Sequence, residues 1–241
     1  MFVQACNQIR ECIYGLMGLS QAGPKRVKET NATGFMVAPG VLVTAAHFCH
    51  IDNDPSKPVH GVFEAIRSPD IGQRMERAAL IAEDTVRDIA LLRIENPRST
   101  SQVQLERKTI PTGTTCGSLG FPLASVRRSQ SAYTFNLTER FQGASISAYQ
   151  WSTDPSGRTL RFYETDALMY LGSSGCPGFL FDARVFGMHV ACVVDPASAQ
   201  VNAAKPGRVG RNRIAISMWV PAADIGDFAT ANGIQMGTVG A

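Results

Sequence analysis

Apolar residues in this chain fall in short runs separated by turn residues, with almost no stretch of helical period. That pattern predicts an all-β sandwich or barrel. After a short helical turn over residues 5–12, residues 13–19 (Ile-Tyr-Gly-Leu-Met-Gly-Leu) read as a first strand, and the polar stretch 21–31, with Gly23-Pro24 and mixed charges, as a surface loop. Two apolar runs around Pro39-Gly40 within residues 34–47 predict a β-hairpin whose second strand ends at His47. Residues 48–70 read as loops with one strand near Val62. Helix and strand compete over 75–82, where the apolar spacing is mixed, and 88–94 (Asp-Ile-Ala-Leu-Leu-Arg-Ile) is a buried strand preceded by an acid.

A polar link over 96–114 separates this half from a second series of strands, expected over 116–122, 133–137, 144–151, 160–164, 179–186, 187–194 and 214–220. Residues 221–233 read as a closing helix, with Pro221 near its start, Ile225 and Phe228 on one face and Gly233 as its stop. Between the last two strands, residues 197–213 carry Lys205, Arg208, Arg211 and Arg213 and read as a solvated basic loop.

Length and composition narrow the class. At 241 residues, 44% hydrophobic and 18% charged, the chain can build one large β domain or two small lobes. A net charge of +3 is too small an excess to argue for nucleic acid. No run of eighteen apolar residues suits a membrane span. The first residues lack a basic start followed by an apolar core, so no secretory signal is expected and the expected location is cytoplasmic. The six cysteines, Cys6, Cys12, Cys49, Cys116, Cys176 and Cys192, show no repeated framework and read as free thiols. His47, Cys49 and His50 stand close in sequence but lack a Cys-x-x-Cys partner, so no metal is expected.

Candidate chemistry centres on Gly172-Ser173-Ser174-Gly175-Cys176-Pro177. A serine held between glycines suits a nucleophile, because acyl transfer needs an unhindered hydroxyl and backbone N–H groups aimed at the developing oxyanion. The same composition also makes ordinary turns. What distinguishes the two readings is the company: a strand ending Thr44-Ala45-Ala46-His47 and a strand opening Asp88-Ile89-Ala90-Leu91-Leu92 precede Ser174 in the order His, Asp, Ser.

In that order the three features resemble the chymotrypsin-fold serine endopeptidases. Gly34-Phe35-Met36-Val37, Gly120-Phe121-Pro122, Thr165-Asp166-Ala167 and the terminal Val220-Pro221 strand and helix are similar to the HtrA-like and glutamyl-endopeptidase branches. The resemblance, running over residues 13–233, implies a single trypsin-like peptidase domain of two packed six-stranded antiparallel β-barrels with a C-terminal helix. Residues 1–110 would hold His47 and Asp88, and residues 111–241 Ser174. It further implies Ser174 as nucleophile, His47 as general base and acid, Asp88 as the orienting group, and the N–H groups of Gly172 and Ser174 as the oxyanion hole. No cofactor is implied, and the partner is a protein or peptide substrate. The usual C-terminal peptide-binding domain of the HtrA-like enzymes is not expected here, and the chain reads equally as a whole protein or as part of a larger protein or complex.

Two departures matter. Secreted relatives carry an aspartate before the nucleophile that binds a freshly cleaved N-terminus. Here the residue is Ser173, so activation by N-terminal cleavage is not expected. Cys176 stands where glycine or serine is usual. For specificity, the strand Gly187-Met188-His189-Val190-Ala191-Cys192 would wall the primary pocket, with Val190 in the wall, and an imidazole at His189 suits cleavage after Glu or Gln. Met169 stands where the resembling families place a small hydroxyl residue, and with Leu168 beside it defines the alternative, an apolar pocket. Rival readings of the whole are a catalytically silent binding module on the same fold, and an esterase using the same triad.

Overall fold

The computed structural model describes residues 2–21, 27–72, 74–128, 133–154, 156–194 and 213–236. Helix α1 (Val3–Arg10) opens the chain and is followed by β1 (Ile13–Gln21), β2 (Val27–Ala38), β3 (Val41–Thr44), β4 (Val62–Arg67), β5 (Glu76–Asp84) and β6 (Ile89–Ile94). These six strands close into an antiparallel barrel in the order β1-β2-β3-β6-β5-β4. A second barrel has the order β10-β11-β14-β13-β12-β7, built from β7 (Thr115–Gly120), β10 (Arg140–Thr153), β11 (Thr159–Thr165), β12 (Pro177–Phe179), β13 (Val185–Val194) and β14 (Arg213–Pro221). Strands β8 (Ser125–Arg128) and β9 (Tyr133–Asn136) form a separate ribbon, and α2 (Ala222–Ala231) closes the described fold. The all-β two-barrel architecture expected from the sequence is thus the one observed.

Burial explains the strand patterns. Ile89, Ala90, Leu91 and Leu92 of β6 are all 0% exposed. Ala90 and Leu92 fill the first barrel with Tyr14, Leu16, Met36 and Leu42, while Ile89 and Leu91 face the other way, into a core shared with Phe121, Phe179 and Met188 of the second half. A strand covered on both faces shows a continuous apolar run instead of alternation. Trp219, Phe186, Tyr163 and Ile146 fill the second barrel, each large side chain contributing about 1.5–3 kcal/mol by its removal from water. The inter-barrel core also takes Ala5 and Ile9 of α1 and Ile225 and Phe228 of α2, so both helices are stapled across the seam.

Some expectations change. The loop expected over 21–31 is strand from Val27 onward, because the β1–β2 ladder continues as far as Gln21↔Val27 while Lys28 and Glu29 keep their side chains in water. Of residues 75–82, all but Met75 resolve as strand, paired to β6 and β4. The single strand expected over 179–186 is broken: Leu180 N–H donates to the Arg184 carbonyl (2.9 Å) and Ala183 adopts φ +65°, closing a turn between β12 and β13. The polar link is stitched down, with Val103 N–H on the Met36 carbonyl (2.9 Å) and Glu106 N–H on the Val185 carbonyl (2.8 Å). Strand β8 was not expected. Of the basic loop over 197–213, only Arg213, the first residue of β14, lies among the described residues; Lys205, Arg208 and Arg211 lie outside them.

Candidate active site

Antiparallel pairing of β3 with β6 sets Thr44 opposite Ala90. The residues just beyond β3 therefore meet those just before β6. His47, in a 3₁₀ turn at Ala46–Cys49, and Asp88 are brought together in this way. Asp88 sits at φ +60°, a left-handed conformation uncommon for a residue with a side chain. There its carboxylate accepts two hydrogen bonds from the same residue: His47 N–H to Oδ1 at 2.8 Å and His47 Nδ1 to Oδ2 at 2.6 Å. A carboxylate can only accept here, so Nδ1 carries the proton and Nε2 presents its lone pair. Ser174 Oγ lies 2.9 Å from that Nε2. Serine, imidazole and carboxylate form one hydrogen-bonded chain across the seam between the barrels.

The loop bearing Ser174 is held by backbone from both sides. From the second barrel, β13 extends its pairing past β12: Gly175 N–H donates to the His189 carbonyl (2.8 Å) and His189 N–H to the Cys176 carbonyl (2.9 Å). From the first barrel comes Thr33 on β2, which sequence reasoning did not single out. Its N–H donates to the Ser174 carbonyl (2.9 Å), its hydroxyl donates to the Gly172 carbonyl (3.0 Å), and the same oxygen accepts from Phe121 N–H (3.0 Å). Gly172 and Gly175 have φ of +89° and +82°, and a Cβ on Gly172 would lie 2.7 Å from the Phe121 carbonyl oxygen. Glycine is required at both positions by conformation and by space.

Peptide orientation is fixed as well. The Leu171 carbonyl accepts from Leu123 N–H at 2.6 Å. In a planar trans peptide the next N–H points the opposite way, so that of Gly172 is turned away from Leu123. Ser173 N–H is used within a turn, on the Tyr170 carbonyl (3.0 Å). Among the described residues, the N–H groups of Gly172 and Ser174 have no protein acceptor. Such a pair of donors can receive an oxyanion.

A depression of about 170 Å³ opens beside Ser174, lined by Tyr170, Leu171, His189, Val190, Ala191 and Cys192. His189 and Val190, named from the sequence, both line this depression. Leu168 and Met169 are not in this lining: Met169 is packed into the second-barrel core and borders a separate cavity, and the Leu168 carbonyl accepts from Gln142 Nε2 at 2.8 Å. Tyr170 and Leu171, absent from the sequence reading, take their place. Their only signal in the sequence is two bulky apolar residues directly before Gly172, and both stay exposed.

His189 is 3% exposed, with its Nδ1 at 3.2 Å from the Ser173 carbonyl and its ring edge-on to Trp219. Burial pushes its pKa down to about 4, so the ring is neutral at ordinary pH. The unfolded chain therefore takes up this proton first as pH falls. Stability should be fully present above about pH 6.5 and decline toward pH 4, by about 3 kcal/mol from this residue alone. Urea unfolding at both ends of that window checks this, with the loss expected to shrink in His189→Gln.

Of the sequence-adjacent metal candidates, His50 bonds Glu83 (2.9 Å) and the Lys57 carbonyl (2.7 Å), and no metal-binding group of three ligands occurs among the described residues. All six cysteines are unpaired. No described helix is long and apolar enough to cross a membrane.

Comparison with known proteins agrees with this architecture. A search of curated proteins found no match. Among solved structures, the active form of the Rv3671c protease from M. tuberculosis superposes with a TM-score of 0.68 at 15% identity, covering 97% of this chain and 86% of that one. Its inactive form gives 0.64 at 15% identity, covering 95% and 93%. At such identity these structures share the fold. Residues 32–188 match the family model of the trypsin-like peptidase domain. That span holds His47, Asp88 and Ser174 together with both glycines of the nucleophile loop, and the chain belongs to the trypsin-like peptidase family.

Proposed function

We propose that the chain is a serine endopeptidase working through Ser174, His47 and Asp88. The observation that carries this reading is the hydrogen-bonded chain of the three side chains, 2.9 Å and 2.6 Å long at its two links, beside two uncommitted backbone donors. Ser174 Oγ attacks the scissile carbonyl while His47 Nε2 takes its proton. The carbonyl oxygen becomes an oxyanion received by the N–H groups of Gly172 and Ser174. Collapse of this intermediate breaks the C–N bond, His47 gives its proton to the leaving amine, and an acyl-Ser174 ester remains. Water, deprotonated by His47, then hydrolyses the ester by the same route. Asp88 stays ionised throughout and holds the imidazole tautomer.

Competence without a newly cut N-terminus is part of the proposal. Ser173 offers no carboxylate to an N-terminal ammonium, and its neighbours are held instead by the Tyr170 turn and by Thr33. Thr33 is accordingly a positioning residue. Thr33→Val retains the shape but loses the hydroxyl bonds to Gly172 and Phe121, and is expected to lower kcat about tenfold to a hundredfold with little change in KM. Steady-state kinetics on a peptide substrate separates the two parameters.

For the residue preceding the cut, we propose a preference for glutamine over glutamate. With Nδ1 facing a carbonyl, the His189 proton belongs on Nδ1, and Nε2 is left as an acceptor. An acceptor suits the NH₂ of a glutamine side chain and repels a carboxylate. Cleavage of a peptide set varied at that position, by wild type and His189→Ala, tests this. Glutamine should lead glutamate in the wild type, and the lead should vanish in the variant. An unchanged preference removes His189 from specificity, and no cleavage of any peptide refutes the endopeptidase reading.

A further inference from the structure

Strand β13 does not keep a regular alternation where it passes the depression. His189 pairs with Trp219, yet Ala191 pairs with Met218 and Cys192 with Ser217, so the register shifts between His189 and Ala191. In a regular strand residues 189 and 192 would project to opposite faces. One extra residue re-aims the side chains beyond it, and here it turns His189 and Cys192 toward each other on one side: Cys192 Sγ lies 3.7 Å from His189 Nε2. The thiol also donates to the Met169 carbonyl at 3.3 Å and stands 3.8 Å from Ser217 Oγ. That hydroxyl is committed to the Ala167 carbonyl at 2.6 Å.

Cys192 is half-buried while His189 is almost wholly covered, and both line the depression beside Ser174. A substrate side chain entering there meets sulfur before it meets the imidazole. We propose that Cys192 is a specificity-determining residue, its thiol forming the floor of the primary pocket and screening the His189 Nε2 and Met169 carbonyl acceptors from the substrate. This rests on the endopeptidase reading above. Two acceptors converging on one point match the two N–H donors of a primary amide, and the thiol stands between them and the pocket. An amide reaches Nε2 only by displacing the sulfur, which also surrenders the S–H bond to Met169. The native enzyme therefore accepts uncharged side chains of moderate length, glutamine among them, with modest discrimination, and the stronger amide selectivity built into the pocket is held in check.

The test is a comparison of kcat/KM on peptides that differ only in glutamine, leucine or glutamate before the cut, for wild type, Cys192→Gly, Cys192→Ala and the double variant His189→Ala/Cys192→Gly. Removing the thiol should raise the glutamine-to-leucine ratio by about tenfold or more, since a site that hydrogen-bonds its substrate discriminates far better than an apolar one. Cys192→Ala should shift the ratio in the same direction by less. The gain should be absent from the double variant, and glutamate should stay poor in every form that keeps His189. Cys192→Ala keeps a side chain in the strand and serves if Cys192→Gly does not fold. Ratios within twofold of wild type in the folded variants overturn the assignment while leaving the peptidase reading intact. Failure of every form, wild type included, to cleave any peptide overturns the peptidase reading and this inference with it.

Discussion

Asp88→Asn is expected to lower kcat by about four orders of magnitude while leaving the fold in place. The carboxylate accepts from both the backbone N–H and Nδ1 of His47. Asparagine has nearly the same shape, so one amide oxygen can still accept from the backbone. Its NH₂ then faces Nδ1 and favours the tautomer with the proton on Nε2, where it meets the Ser174 hydroxyl as a donor and cannot act as the base. Circular dichroism and thermal unfolding should be close to wild type. Single-turnover kinetics should localise the loss to formation of the acyl-enzyme. A fall of less than tenfold would mean that Asp88 is not the group orienting His47.

Gly175→Ala is the largest expected effect on folding. A Cβ at this residue would overlap the Thr33 carbonyl oxygen and approach the Thr44 hydroxyl, and φ of +82° adds backbone strain. The backbone cannot retreat easily, because Gly175 N–H is bonded to the His189 carbonyl and the next residue is locked to the same strand. A cost of about 3 kcal/mol or more is expected, lowering Tm by about 6–12 °C in a chain of this size. Gly113→Ala is the matched control: its φ is +87°, but nothing lies within 4 Å of an added Cβ. It should cost only about 1 kcal/mol, the strain without the collision. Calorimetry on both variants separates the two contributions.

How far the sequence carried the fold depended on which faces each element buries. The run from Ile89 to Leu92 was legible because both of its faces are covered, and the hairpin around Pro39-Gly40 because two apolar strands flank a turn. The opening of β2 was hidden for the opposite reason. Lys28 and Glu29 point to water, and their strand exists through its backbone pairing with β1, which leaves no mark on hydrophobicity. Residues 75–82 were ambiguous because alanines at Ala78, Ala79 and Ala82 suit helix and strand alike; the barrel, needing a partner between β4 and β6, decides for strand.

The candidate site divides along a similar line. His47, Asp88 and Ser174 could be named because each closes or opens a recognisable element. Thr33 could not, since its importance lies in a contact across 139 residues to Gly172, made only when two barrels pack. Cys192 stood in the strand expected to wall the pocket, but its place beside His189 was hidden by a register shift: counting by two along β13 sets it on the opposite face, and the pairing with β14 brings the two to one side. Of Leu168 and Met169, adjacent in sequence to the pocket-lining Tyr170 and Leu171, the first has its carbonyl held by Gln142 and the second packs into the barrel core.

The most direct test of Ser174 as an activated nucleophile is covalent. An activated serine attacks a fluorophosphonate, expelling fluoride and leaving a stable phosphonyl ester, whereas an ordinary turn serine is inert. Intact-mass spectrometry of the treated protein, then peptide mapping, reads both stoichiometry and position. One adduct per chain is expected, on Ser174, absent from Ser174→Ala and much slower to form in Asp88→Asn. Well-folded wild-type protein that takes up no adduct, or takes it up elsewhere, would contradict the account.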